Sequence, residues 1–564
     1  MKMRFLLSLA AAVAFPLIAA DVPTPPAVSR AVRMISGDAI AAHDKFLASD
    51  LLEGRGPGTR GDQIAQEYIA AQFEAFGLTP DGDNGTYFQK VALLGVTTDA
   101  QTTTASFTKE GAPAIGPLKY LDDFVASDET QTKQQTAATP LDSELVFVGH
   151  GVVAPEYKWN DYKDLDTKGK TLVMLVDDPP ANAAEPDLFK GKARTYYGRW
   201  TYKYEIGGAK GADAVILIHT NDAAGYPWSV VRNSWGSERS YSRRGANEAA
   251  VKFAGWVTED IAKQLFKAAG QDLDALTKAA ASRDFKPVSL GGYRLTGSIG
   301  SKSRAFDTAN VVAKLEGSDA VLKKEAILYS AHHDHLGVGK PDERGDSIYN
   351  GAIDNASGCA LLIEMARVWA NTTPKPKRSI IFNSVAAEEQ GLIGSGYYGK
   401  HPSVPAGRIA LNINYDAIPE LGRVRDVYMN GIERTTFFPT AQKIAKAMGI
   451  TIVPDPEPEQ GHYYRSDHFS LGKVGVPAFS VDPGQDVIGK PAGWGKAQSD
   501  DYREHRYHQP SDEFDPKWDW AEAVEMGQLG FWMGWEAANA PAMPNWVPGD
   551  EFRGIRDASL KASK

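Results

Sequence analysis

At 564 residues the chain exceeds the ~100–200 residues of an ordinary domain and calls for two to four structural units. Its 43% hydrophobic and 23% charged residues are those of a globular protein, and a net charge of −10 without any basic run argues against nucleic acid as a partner. A single cysteine, Cys359, excludes an internal disulfide, so stability must come from the cores and from any bound metal.

Residues 1–20 open with Lys2 and Arg4, continue as a short apolar run and end in Ala19-Ala20. This is the pattern of a secretory signal peptide, with a retained membrane anchor as the alternative. No later segment reaches the ~18 consecutive apolar residues of a membrane span. The expectation is a periplasmic or secreted bacterial protein with no mature membrane span.

The N-terminal part of the main unit, completed by 281–540, is taken as 21–142. Helices are predicted over 35–48 and 62–76, the second ended by Gly77. Between them Leu51–Gly61 holds glycines and a proline that favour an irregular loop. A turn at 82–86 leads into a strand over 87–94. From about Ser143 the texture changes to short strands at 144–148, 171–176 and 214–218, with one helix over 202–211. We read 143–280 as a β-rich insertion. Its segments Phe147–Val152 and Gly207–Leu217 resemble the protease-associated domain inserted in several exopeptidases. Asn233–Arg244 reads as a solvated loop.

Over 281–540 strands and helices alternate. Strands are predicted at 326–330, 379–385, 409–415 and 478–481, and helices at 356–370, 437–448 and 519–538. This implies an α/β fold with a mixed central sheet flanked by helices. The tail 541–564 reads as loosely ordered.

Ligands gather beyond the carboxyl ends of strands in open α/β sheets. His332 follows the strand 326–330, Glu388 and Glu389 follow 379–385, and Asp416 follows 409–415, while Asp354 stands at the start of the helix 356–370, where Asn355 or Ser357 is placed to cap. Imidazole and carboxylate groups brought to one edge have the composition of a zinc site, with a later histidine needed to complete two centres. His333 and His335 are rivals to His332, and His505 is a weaker rival to a later ligand; Cys359 reads as a small buried hydrophobe.

Together, His332-His-Asp-His335, Gly351–Gly358, Glu388–Ser395, Asn414-Tyr-Asp416 and Tyr507–Asp512 resemble the successive motifs of the dizinc exopeptidases of metallopeptidase family 28, which include aminopeptidases and glutamate carboxypeptidases. The resemblance implies the zinc-exopeptidase, or phosphorylase/hydrolase-like, fold. It also implies that His332 and Asp416 hold one zinc, that Glu389 and His508 hold the other, and that Asp354 bridges them. Two Zn2+ per chain are expected, with Co2+ or Mn2+ as substitutes.

On this resemblance Glu388 is the general base of a zinc-bound hydroxide acting on peptides, although Glu388 and Glu389 are open to exchange. Asp334 is the carboxylate that orients His332, and the Asp354–Asn355 peptide is expected to be cis. Tyr507 is placed to stabilise an oxyanion or merely to pack there. Arg465, Ser466, Asp467 and His468 are implied as pocket residues. The preferred activity is an aminopeptidase; alternatives are a carboxypeptidase, a non-catalytic binding protein on the same fold, and an amidase or cyclase acting on non-peptide amides.

Overall fold

The computed structural model describes residues 24–245, 248–419 and 421–563, so the proposed signal segment lies outside the described residues. Helix α1 (Gly37–Leu47) begins where the Ser36 side chain accepts the Ala39 N–H, and it buries Ile40, Asp44 and Leu47 along one face. Helix α2 (Arg60–Ala75) is capped by Thr59 and buries Ala65, Ile69 and Phe73. The loop between them is tightly seated. Gly54 has φ +67°, and a Cβ there would lie 2.4 Å from the Tyr349 carbonyl oxygen, so only glycine fits.

The chain then enters one 14-stranded sheet. Its first strands are β1 (Thr79–Pro80), β2 (Phe88–Thr98), β3 (Thr104–Thr108), β4 (Phe124–Ser127) and β5 (Gln135–Phe147). Next come β6 (Thr171–Leu175), helix α3 (Trp200–Ala209), β7 (Ala214–His219), helix α4 (Trp228–Trp235) and β8 (Arg239–Ser242). Strand β9 (Phe253–Thr258) and helices α5 (Glu259–Ala268) and α6 (Leu273–Ala279) follow. Strands β5, β6, β7 and β9 run parallel, and β4 closes the edge antiparallel to β9.

This middle region is therefore α/β rather than β-rich, and more than one helix covers it. In α5, Thr258 accepts the Ile261 N–H, and Ile261, Ala262, Leu265 and Phe266 recur at helical spacing and are buried. Its core also extends beyond 143–280, taking in Ala105, Phe107 and Phe124 before it and Phe285, Leu295 and Ile299 after it. The cause is β10 (Val288–Leu315), a 28-residue strand. It pairs with β5 along one stretch and with β2 and β12 (Ser379–Val385) further on, joining both parts of the sheet.

Beyond it lie β11 (Ala326–His332), α7 (Gly358–Ala370) and, after β12, β13 (Ile409–Asn414). Helix α8 (Phe438–Ala447), the short helix α9 (His468–Lys473), β14 (Ala478–Ser480) and α10 (Ala521–Asn539) complete this part. Strands β12, β11, β13 and β14 are successive parallel neighbours, so their carboxyl ends share one edge. The C-terminal tail is ordered, contrary to its polar composition. Helix α11 (Arg553–Ala562) follows Trp546 and Phe552, which are buried in an aromatic cluster with Tyr463, Tyr464 and Phe469.

The largest core contains α7 almost whole. Trp369 is fully buried there, with its ring 4.2 Å from that of Phe531 on α10. We expect Trp369→Ala to cost about 3–5 kcal/mol, read as a lowered denaturation midpoint at unchanged slope.

Candidate metal centre

The parallel strand ends deliver the groups named from the sequence. His332 is the last residue of β11, Glu388 and Glu389 follow β12, and Asp416 follows β13. His332 Nε2 lies 3.2 Å from both Asp354 Oδ1 and Asp416 Oδ1. On the other side of Asp354, His508 Nε2 is 3.2 Å from its Oδ2 and 3.1 Å from Glu389 Oε2. The two oxygens of one carboxylate thus face two separate imidazole–carboxylate sets.

Backbone contacts hold this arrangement. Asp512 Oδ1 and Oδ2 accept the Ile353 and Asp354 N–H groups, each at 3.1 Å. The Asp354–Asn355 peptide is cis, and it is Asn355 that caps α7, its Oδ1 accepting the Gly358 and Ala417 N–H groups. The Asp334 carboxylate accepts the Glu388 and Glu389 N–H groups at 3.0 and 3.3 Å. His332 Nδ1 is closer to the Asp334 carbonyl oxygen, 3.2 Å, than to its carboxylate, 3.8 Å. The orienting contact to the imidazole is therefore main-chain, while the carboxylate positions the glutamate pair.

Of the rivals, His333 points elsewhere, toward Ser384 Oγ at 3.1 Å and Asp62 at 3.2 Å. His335 is closer to the centre than expected, with Nδ1 2.8 Å from Glu389 Oε1. His505 is exposed, 3.2 Å from Asp501, and Cys359 is buried with its thiol against the His332 carbonyl. Tyr507 stacks on His508 with ring centroids 3.8 Å apart and is 43% exposed, on the open side of the site.

The implied pocket quartet divides. Arg465 is exposed, but Ser466, Asp467 and His468 are buried because α9 turns the chain inward. Ser466 donates to Asp416 Oδ2 and accepts from Asn414 Nδ2 at 2.9 Å, so it positions a strand-end carboxylate rather than lining a pocket. His468 lies edge-on to Tyr463, 4.7 Å between centroids. The recess lined by Trp518, Trp520 and Arg423 shares no residue with this centre.

The charges fit divalent cations. Both nitrogens of His335, His508 Nε2 and Glu389 Oε1 are buried without a hydrogen-bond partner among the described residues. The groups His332/Asp354/Asp416 and His335/Asp354/Glu389 each gather donor atoms within 4.8 Å of one another, a mix of nitrogen and oxygen suited to zinc. Burial pushes Glu388 well above the ordinary carboxylate range, with Glu389, Asp467 and Asp416 adding to it and His332 opposing. Burial would raise Glu389 as well, but His508 and His335 draw it down to about 2. Adjacent glutamates are thereby given different proton affinities.

Two residues escaped the sequence. Arg199, on the middle region, has a buried Nε without a hydrogen-bond partner and lies within the electrostatic reach of Arg465 and Glu388. No spacing rule connects it to the motifs. Asp512 lay within a recognised motif, and its bonds to the Asp354 backbone become visible only in three dimensions.

Residues 310–531 match the model of peptidase family M28. The match covers 222 of the 564 residues. A probable zinc metalloprotease of Pyrenophora teres f. teres (strain 0-1) is 36% identical over 108 residues, 19% of this chain and 22% of that protein. Aminopeptidase NAALADL1 of Rattus norvegicus is 34% identical over 108 residues, 18% of this chain and 13% of that protein. The chain thus spans about a fifth of the length of the first curated relatives it matches. Among solved structures, an aminopeptidase from Aneurinibacillus sp. strain AM-1 aligns at TM-score 0.45 and 18% identity, over 92% of this chain and 97% of that one.

Burial, with Arg434 nearby, lowers His468 from 6.5 to about 3. The unfolded chain then binds a proton between those values while the folded one does not, so His468 adds stability above about pH 6.5 that is lost as pH falls toward 3. We expect the wild type to lose more stability than His468→Leu between about pH 6.5 and 4.5, at a slope difference of up to ~1.4 kcal/mol per pH unit. Equal slopes in denaturant titrations would contradict this.

Proposed function

We propose that this protein is a zinc-dependent exopeptidase, most simply an aminopeptidase that removes N-terminal residues from peptides. The observation that carries the proposal is Asp354, whose two carboxylate oxygens face His332 with Asp416 and His508 with Glu389. His332 and Asp416 would hold one zinc, Glu389 and His508 the other, and Asp354 both, with His335 the competitor for the second. Such a pair, when bound, polarises the scissile carbonyl and acidifies water.

The chain's own part is proton transfer and orientation. Glu388 follows the ligand strand, is partly buried and makes no side-chain hydrogen bond among the described residues. It accepts a proton from the attacking water and returns it to the amine nitrogen as the C–N bond breaks. Asp334 fixes the Glu388 backbone during this exchange. The Tyr507 ring lies at the open side of the site, where its hydroxyl would donate to the tetrahedral oxygen. Asp354, Glu388, Glu389 and Asp416 give the acidic surroundings that attract a free ammonium. The relatives named as zinc metalloproteases and as an aminopeptidase support the same reading.

A carboxypeptidase is the second reading. Arg465 and Arg199 have no carboxylate ion pair among the described residues and share the surroundings of Glu388 and Tyr507, a setting suited to a substrate carboxylate. We also propose export to the periplasm or medium on the strength of residues 1–20. No helix among the described residues is long and apolar enough to cross a membrane.

The test is turnover of free-amine and N-blocked dipeptides by wild type and Glu388→Gln. We expect turnover of free-amine substrates only, and a ~10²–10⁴-fold lower kcat in the variant with zinc content retained. Turnover confined to blocked substrates would favour the carboxypeptidase. Unchanged kcat in the variant would remove Glu388 from the reaction.

A further inference from the structure

The glycine-rich loop between α1 and α2 carries a buried cation that the proposed reaction does not use. Arg55 is 0% exposed, and its backbone lies in the left-handed region at φ +51°. Its Nε donates to the His333 carbonyl at 2.7 Å, and Nη1 donates to the carbonyls of Leu47 and Asn350, both at 2.6 Å. Nη2 donates to the Gly351 carbonyl at 2.9 Å. Its own carbonyl accepts the His335 N–H at 3.3 Å. No carboxylate forms an ion pair with it among the described residues, so its donors are given over to main-chain acceptors.

Those acceptors are not randomly placed. His333 directly follows the proposed ligand His332, and Gly351 lies three residues before Asp354. Leu47 ends α1, where helix carbonyls lack internal partners. Asn350 is tied to the same helix end, its Nδ2 donating to the Ala48 carbonyl at 2.8 Å. One planar guanidinium therefore spans the ligand loop after β11, the loop leading to Asp354, and a helix fixed in the main core. Lysine, with a single ammonium on a flexible stem, cannot reach acceptors on three sides at once.

We infer that Arg55 is a positioning residue that sets the separation between the His332 loop and the Asp354 loop, and through it the affinity and geometry of the metal centre. The inference rests on the ligand set proposed above. Contacts that orient ligands commonly change metal affinity by ~10–100-fold when removed.

The experiment compares wild type, Arg55→Lys, Asn350→Ser and Arg556→Lys for zinc affinity in metal buffers, the visible absorption of the Co2+-substituted protein, and kcat and KM. Arg556, an equally buried arginine in the C-terminal helix, donates to the Ala406 carbonyl and serves as the control for general destabilisation. We expect Arg55→Lys to bind zinc ~10–100-fold more weakly, to alter the Co2+ spectrum and to lower kcat more than it changes KM. Asn350→Ser, which loosens the same tie, should show a smaller shift in the same direction, and Arg556→Lys none.

A folded Arg55→Lys protein with wild-type zinc affinity and Co2+ spectrum would overturn the inference, as would an equal loss in Arg556→Lys. If Arg55→Lys does not fold, unchanged zinc binding in Asn350→Ser overturns it and weakened binding supports it. The ligand reading is tested separately: His332→Ala with undiminished zinc would sink that reading, whereas His332→Ala losing zinc while Arg55→Lys keeps it sinks only the role of Arg55.

Discussion

Four carboxylates, Asp354, Asp416, Glu388 and Glu389, are crowded at one sheet edge with no lysine or arginine paired to them among the described residues. Like charges held this close repel unless cations or protons intervene. Much of the surrounding structure serves to hold these groups against that repulsion. Asp512 and Asn355 fix the backbone around Asp354, Asp334 fixes the glutamate pair, and Ser466 fixes Asp416. The imidazoles of His332 and His508 stand between the acidic groups. Such an arrangement stores its cost in buried, oriented charge and is stabilised most directly by divalent metal.

The β10 strand extends this constraint through the molecule. Because it pairs with β12, beside the strands that carry the candidate ligands, at one end and with β5 at the other, the middle region is bound into the same sheet rather than hung from a linker. Segment 194–205 then packs against 458–473: the Arg194 N–H bonds to the Pro458 carbonyl, Tyr196 stacks near Tyr464 and Phe469, and Lys473 pairs with Glu205. These contacts carry Arg199 to the neighbourhood of Glu388.

The proposed ligand residues were legible because strand–helix alternation is a local pattern and the strand-end rule turns it into a place. Position after apolar runs brought His332, Glu388, Glu389 and Asp416 to one edge, while the choice among neighbours, and His508, came from the resemblance to the family's motifs. What was not legible depended on long-range packing. The resemblance implied Asp467 and His468 as pocket residues, yet a short helix buries them. The tail looked loose from its composition, but Trp546 and Phe552 anchor it in an aromatic cluster. The middle region's helix α5 was missed although its apolar residues recur at helical spacing, and the region's core is extended by a strand that crosses the expected boundary. Arg55 stood in a stretch whose glycines signalled only a turn.

The most direct measurement is a crystal structure of the zinc-loaded protein with anomalous scattering recorded across the zinc edge. Two peaks sharing Asp354, one touched by His332 and Asp416 and the other by Glu389 and His508, are predicted. A single peak, or a second peak ligated by His335 with His508 turned away, would contradict the ligand set on which the proposed chemistry depends.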